Sequence, residues 1–133
     1  MPRLSRLTMT EAELQELVDA WIAAEEAQAF TPDFESHSWA VSQVIDWALE
    51  GEAELLWRFI LAAYTRDISA KVTGILAAGP LEDLLSQHGP DYIDQVEDLA
   101  RRDERFNHLL GGVWRLSMTD EVWARVQSVR REA

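Results

Sequence analysis

The chain contains no cysteine. That removes structural disulfides, thiolate zinc sites, iron–sulfur clusters and cysteine nucleophiles together. Long apolar runs are missing too. The longest stretches without charge are ten residues, Ser36 to Ile45 and Val72 to Leu81, whereas a membrane-spanning helix needs roughly 20 apolar residues. No targeting segment is expected, because Thr8, Thr10, Glu11 and Glu13 follow Arg3 and Arg6 where an apolar stretch would have to begin. A cytoplasmic protein without membrane contact is the expectation. There are only three histidines, His37, His88 and His108, and none has a metal-binding spacing. Glycine-rich phosphate loops are absent, so neither metal nor cofactor is expected. Alternating strand patterns bounded by hairpin turns are absent as well.

What remains is helical. The 133 residues make one domain's worth of chain, and 47% hydrophobic content gives it enough apolar side chains for a core despite a net charge of -12. Thr10 to Glu13 reads as a capping box, followed by Leu14, Leu17, Val18, Trp21 and Ile22 on one helix face. That helix should fade near Ala29, leaving 30–35 as an irregular connection. A second helix is expected from Ser36 or Ser38, burying Val41, Val44, Ile45, Ala48 and Leu49 and stopping at Gly51. A third carries Leu55, Leu56, Phe59, Ile60 and Ala63. A fourth carries Ile68, Val72, Ile75 and Leu76 and should end at Gly79-Pro80, with Gly74 allowing close helix packing. Shorter pieces follow: Leu81, Leu84 and Leu85 up to Gly89, Tyr92 to Ala100 from Pro90, and Phe106 to Leu110 capped by Asp103. A last helix is expected over 118–131. The prediction is all-α, with seven to eight short helices in one domain (1–133), packed as a compact orthogonal bundle or as a short HEAT-like stack of helix pairs.

Charge is distributed unevenly along this frame. No Lys or Arg lies between Arg6 and Arg58, while twelve acids fall in 7–57, so that segment carries the whole net charge. Solubility accounts for such a block. So does a recognition surface for a basic protein, because concentrated like charge costs self-repulsion and steers oppositely charged partners. The expected contact residues are Glu11, Glu16, Asp19, Glu26, Asp33 and Glu35. The same charge argues against nucleic acid as a direct partner. Six tryptophans are spread through the chain and read mainly as core. Trp47 and Trp57 fall off the apolar stripes and are candidates for a second packing surface, where tryptophan serves as an interface anchor.

Catalytic constellations are thin. Ser36, His37, Ser38 and Asp46 contain the ingredients of a hydrolase triad, with neither a nucleophile turn nor an oxyanion hole signalled. Glu50 to Glu54 lacks the ligand spacing of a calcium loop. Asp94, Glu97 and Asp98 lie at helical spacing from Arg101, Arg102 and Arg105, which reads as ion pairing along a helix. No catalytic residue is assigned.

The run from Leu76 to Trp114 carries Gly79-Pro80-Leu81-Glu82-Asp83-Leu84-Leu85, His88-Gly89, Ile93, Asp103, Phe106 and Leu110-Gly111-Gly112-Val113-Trp114. It resembles the core of an uncharacterised bacterial domain family, with a looser likeness back to about residue 46. The resemblance implies a bacterial protein and a small helical domain and brings no activity. Its motif reads physically as capping and packing, with Glu82, Asp83 and His88 as the residues that could line a shared site. The acidic N-terminal portion lies outside the matching core. The resulting expectation is a non-enzymatic protein-binding module, in concrete form an acidic inhibitor or immunity-type protein neutralising a basic toxin or nuclease through 7–57. A regulatory adaptor or scaffold is the alternative, and an enzyme or small-ligand domain stands third. The sequence leaves the oligomeric state open.

Overall fold

A computed structural model describes residues 9–130; Arg3, Arg6 and the expected helix end at 131 lie outside them. The described residues contain no strand. They form α1 (Glu11–Glu26), α2 (Pro32–Leu49), α3 (Ala53–Tyr64), α4 (Ala70–Leu76), a π-helical turn (Ala77–Leu81), α5 (Glu82–Arg102), α6 (Glu104–Leu110) and α7 (Asp120–Val129). The all-α class is as expected. The chain divides into two compact units between Ile68 and Ser69. No helix among the described residues is long and apolar enough to cross a membrane.

In the first unit α1 starts as its capping box dictates. The Glu13 amide donates to Thr10 Oγ1 at 3.1 Å, and the Thr10 amide donates to Glu13 Oε1 at 2.8 Å. Thr31 caps α2, accepting from the Phe34 amide at 3.3 Å, with Pro32 as the first helical residue. This corrects the expected irregular segment over 30–35. Pro32 does keep Thr31 out of helical geometry, but an N-cap residue is extended anyway, and proline's fixed φ suits the position that follows. Gly51 stops the helix at φ 74°. The core is made of Leu14, Leu17, Val18 and Trp21 from α1, Ala40, Val44, Trp47 and Ala48 from α2, and Leu55, Leu56, Phe59 and Ile60 from α3. Trp21 meets Phe59 edge-on at 5.1 Å, a geometry that suits the opposite charge of ring face and ring edge.

In the second unit α4 does not stop at Gly79-Pro80, as expected. Pro80 has no amide proton, and its ring would collide with the carbonyl four residues back. The backbone widens by one residue instead of breaking, and the Glu82 amide reaches Ala77 O five residues back. The expected boundary at Gly89-Pro90 survives as a kink inside α5, where His88 leaves helical geometry (φ -132°, ψ 21°). Gly89 is required there: a Cβ would lie 2.9 Å from both Val122 methyl carbons of α7. Gly74 is different, because a Cβ at that position meets nothing within 4 Å, which corrects its expected packing role. Gly74→Ala is therefore expected to raise stability by about 1 kcal/mol through helix propensity. Gly89→Ala should lower it by about 1–3 kcal/mol through overpacking. Thermal denaturation of both variants checks the opposite signs.

Ion pairing in this unit runs partly between helices. Asp98 pairs with Arg102 along α5 at 2.9 Å. Arg125 of α7 takes Asp94 at 2.5 Å and Glu97 at 2.5 Å, so two of the acids expected to pair along α5 tie it to α7.

Candidate functional site

Residues 9–68 hold thirteen acids against Arg58 and Arg66. Glu11, Glu16, Asp19 and Glu26 are exposed on α1, and Asp33 and Glu35 are exposed on α2. Several of them are already engaged: Asp19 pairs with Arg66 at 2.5 Å, Glu11 lies 3.9 Å from Arg58, and Asp33 lies 3.8 Å from His37 Nδ1. Arg66 also donates to Gln15 Oε1 at 2.6 Å. Both arginines thus dock on the α1 surface, and with thirteen acids against two arginines the unit keeps a strong negative excess.

The aromatic anchors differ from those expected. Trp47 is 0% exposed and Trp57 8%, so both belong to the core and neither can meet a partner in this fold. The apolar stripe expected on α2 is also displaced. Ala40, Val44, Trp47 and Ala48 form the buried i, i+4, i+7, i+8 set, which leaves Ile45 52% and Leu49 78% exposed. Of the expected stripe Val41, Val44, Ile45, Ala48 and Leu49, only Val44 and Ala48 are buried, and the true stripe is rotated from it by less than one residue's step of about 100°. Trp39, 46% exposed, shares the solvent side with Glu35 one turn before it and Asp46 two turns after it. The outer face of α2 therefore carries a tryptophan and two aliphatic side chains among carboxylates. Ala40, Val44, Trp47 and Ala48 have helical spacing in the sequence, but so do Val41, Ile45 and Leu49, so spacing alone does not choose between the two arcs.

The family-like motif residues serve a different purpose. Glu82 is buried, and its carboxylate accepts the Trp114 amide. Burial pushes its pKa up, the Trp114 bond opposes that, and Asp83 beside it adds to the rise. Burial likewise raises Asp83. Around Glu82 the loop after α6 is held tightly. A Cβ on Gly112 would lie 2.9 Å from Ala77 Cβ, and Arg130 Nη1 donates to Val113 O at 2.9 Å. Leu116 sits in the left-handed region at φ 45°, and Arg115 pairs with Asp120. The loop holds Trp114 75% and Leu116 65% exposed. His88 is half-buried at the kink, and its Nε2 has no hydrogen-bond partner among the described residues.

A cleft of about 630 Å³ opens in the same unit, lined by Thr73, Gly74 and Ala77 on one side and by Glu104, His108 and Arg130 on the other. Glu82, Asp83 and His88 are not among its lining residues, so the motif acids and the cleft are separate features. No group of three or more histidine or carboxylate side chains among the described residues is placed to hold a metal. His37 Nδ1 donates to Asp33 O at 2.9 Å, within its own helix.

The carboxylates of this unit respond to pH in opposite senses. The Arg125 hydrogen bond, the main cause, lowers the pKa of Glu97, so its contribution is present above the unfolded carboxyl pKa and is lost as pH falls through the folded value. Glu82 is raised. Between its unfolded and folded values the folded state binds more protons, so stability falls as pH rises across that window. Glu82→Gln keeps an oxygen for the Trp114 amide and removes the buried charge. Its melting temperature is expected to gain on the wild type progressively as pH rises from 4.5, the unperturbed glutamate value. A difference that stays constant with pH would contradict this.

Residues 27–133 match a family described as a family of unknown function (DUF6869). The match reaches upstream of the expected core and takes in α2 and α3, leaving α1 and its acids outside. No curated protein and no solved structure matches the chain.

Proposed function

The chain belongs to this family of unknown function, and with no activity to inherit from it, we propose that the protein is a binding module whose acidic first unit receives a basic protein. The concrete form is an inhibitor of immunity type, neutralising a basic toxin or nuclease. The observation that carries the reading is the outer face of α2, where Trp39, Ile45 and Leu49 are exposed among Glu35, Asp46 and Glu50. Solvated acids alone would serve solubility. Large apolar side chains set among them favour a contact surface, since desolvated aromatic anchors supply affinity while surrounding charge supplies orientation and on-rate. The acids of α1 extend the same negative field.

The test captures a partner on the full-length protein, purifies it, and measures its affinity for Trp39→Ala and for a Glu35→Gln/Asp46→Asn pair. Trp39→Ala should weaken binding by on the order of 30-fold, the effect of a 2 kcal/mol anchor. The charge variants should slow association and flatten its salt dependence. A basic partner indifferent to both changes would sink the reading.

The adaptor or scaffold reading draws on Trp114 and Leu116, which the Glu82 bond and Arg130 hold out from the second unit. A partner on that loop would persist at high salt and would be lost with Trp114→Ala.

A further inference from the structure

The cleft of the second unit has features that the fold does not require. Gly74 lies inside α4, where glycine costs helix stability relative to alanine, yet no neighbour approaches the space its side chain would take. Gly74, Ala77 and Gly112 give the cleft a wall nearly free of side chains. The facing wall carries charge. Glu104 and His108 lie one turn apart on α6, and neither side chain has a hydrogen bond or ion pair among the described residues, even with the other. Asn107 lies between them, and its Nδ2 donates to Val129 O at 3.1 Å. That bond pins the start of Arg130 against α6. Arg130 stacks over the Trp123 ring at 5.0 Å and uses Nη1 on Val113 O, which leaves Nε and Nη2 as donors.

We propose that this cleft is a binding site for a small zwitterion, a molecule of amino-acid size carrying one carboxylate and one ammonium group. The Arg130 guanidinium, fixed by its ring stack and its Val113 bond, takes the carboxylate, for which its planar donors are suited. Glu104 takes the ammonium group. An isolated anion would meet the Glu104 charge and an isolated cation the Arg130 charge, so both groups are needed on one ligand. Thr73 donates its hydroxyl proton to Ser69 O at 2.9 Å, which leaves the oxygen as an acceptor. The bare wall at Gly74 lets the ligand's carbon skeleton lie against backbone. This site is independent of the partner surface on α2, and either proposal can fail alone.

The experiment is a ¹H–¹⁵N titration of the full chain with the L-amino acids singly and with L-alanyl-L-alanine, with acetate and methylamine as single-charge controls. At least one zwitterion should shift the amides of Thr73, Gly74, His108 and Gly112 with a Kd at or below about 1 mM. Acetate and methylamine should bind at least about tenfold more weakly. A stronger response to the dipeptide than to any amino acid would assign the site to a short peptide, and the reverse to free amino acids. Gly74→Leu fills the open space and should abolish the shifts. Glu104→Gln, on an exposed position, should weaken binding by about tenfold and stands as the second variant if Gly74→Leu does not fold. The proposal is overturned if no zwitterion shifts these amides at about 10 mM. It is equally overturned if acetate binds as tightly as the zwitterions, or if a folded Gly74→Leu binds unchanged.

Discussion

Trp47→Ala is expected to destabilise the protein by about 3–5 kcal/mol, the cost of removing a large aromatic from a closed core. For a chain of this length that is a fall in melting temperature of about 10–20 °C. The side chain is 0% exposed and lies among the largest fully buried groups. Its indole Nε1 has no hydrogen-bond partner among the described residues. That orphan donor makes a second substitution informative. Trp47→Phe keeps much of the apolar bulk and removes a buried N–H whose desolvation is uncompensated, an effect of about 1–3 kcal/mol in the favourable direction. It should therefore cost less than half as much as alanine. Trp39→Ala, on the outer side of the same helix, should stay within about 0.5 kcal/mol of the wild type. Thermal unfolding of the three variants checks the order, and a Trp39 effect equal to that of Trp47 would contradict the orientation of α2.

Asn107→Asp is expected to be nearly as damaging. Asn107 is 3% exposed, and its Nδ2 donates to Ala100 O at 3.0 Å and to Val129 O at 3.1 Å. Both carbonyls lie in the last turns of their helices, whose final carbonyls have no intrahelical partner. One side chain thus caps α5 and α7 together from its place on α6. Aspartate has nearly the same shape and no donor at neutral pH, so two carbonyl oxygens would face a buried carboxylate. Uncompensated buried charge of this kind costs about 3–5 kcal/mol. The loss should shrink at low pH, where the protonated acid recovers one donor. Melting curves for the variant at pH 7 and pH 4 test both statements.

How far the sequence discloses the fold depends on whether the deciding contact is local. Thr10 and Asp103 are legible as caps because the amide each accepts lies two or three residues ahead. The all-α class was legible from periodicity for the same reason. The start of α2 was missed because Pro32 both ends and begins structure, and only the observed cap at Thr31 decides between them. The α2 stripe was misplaced because Val41, Ile45 and Leu49 are as apolar as the residues actually buried. Which arc faces α1 and α3 is a tertiary matter that hydropathy along one helix does not settle. For the same reason the sequence offers Trp47 as a second packing surface and counts Trp39, the exposed one, with the core. The role of Asn107 was beyond reach, since its two acceptors lie 7 and 22 residues away. In the cleft, Gly74 and His108 were visible as residue types; what could not be read was that α4 and α6 leave open space between them.

The π-helical turn at 77–81 makes the second unit sensitive to chain length in an unusual way. A wide turn is equivalent to one residue inserted into an otherwise regular helix, and each residue advances the helix by about 100°. It therefore acts as a phase setter. Removing a single residue would restore ordinary winding and rotate everything after it, swinging Glu82 away from the Trp114 amide and Gly89 away from Val122. A loop would absorb such a deletion; this joint would transmit it along the whole of α5. The run Ala77–Leu81 should thus tolerate exchange of one small side chain for another far better than any change in its length.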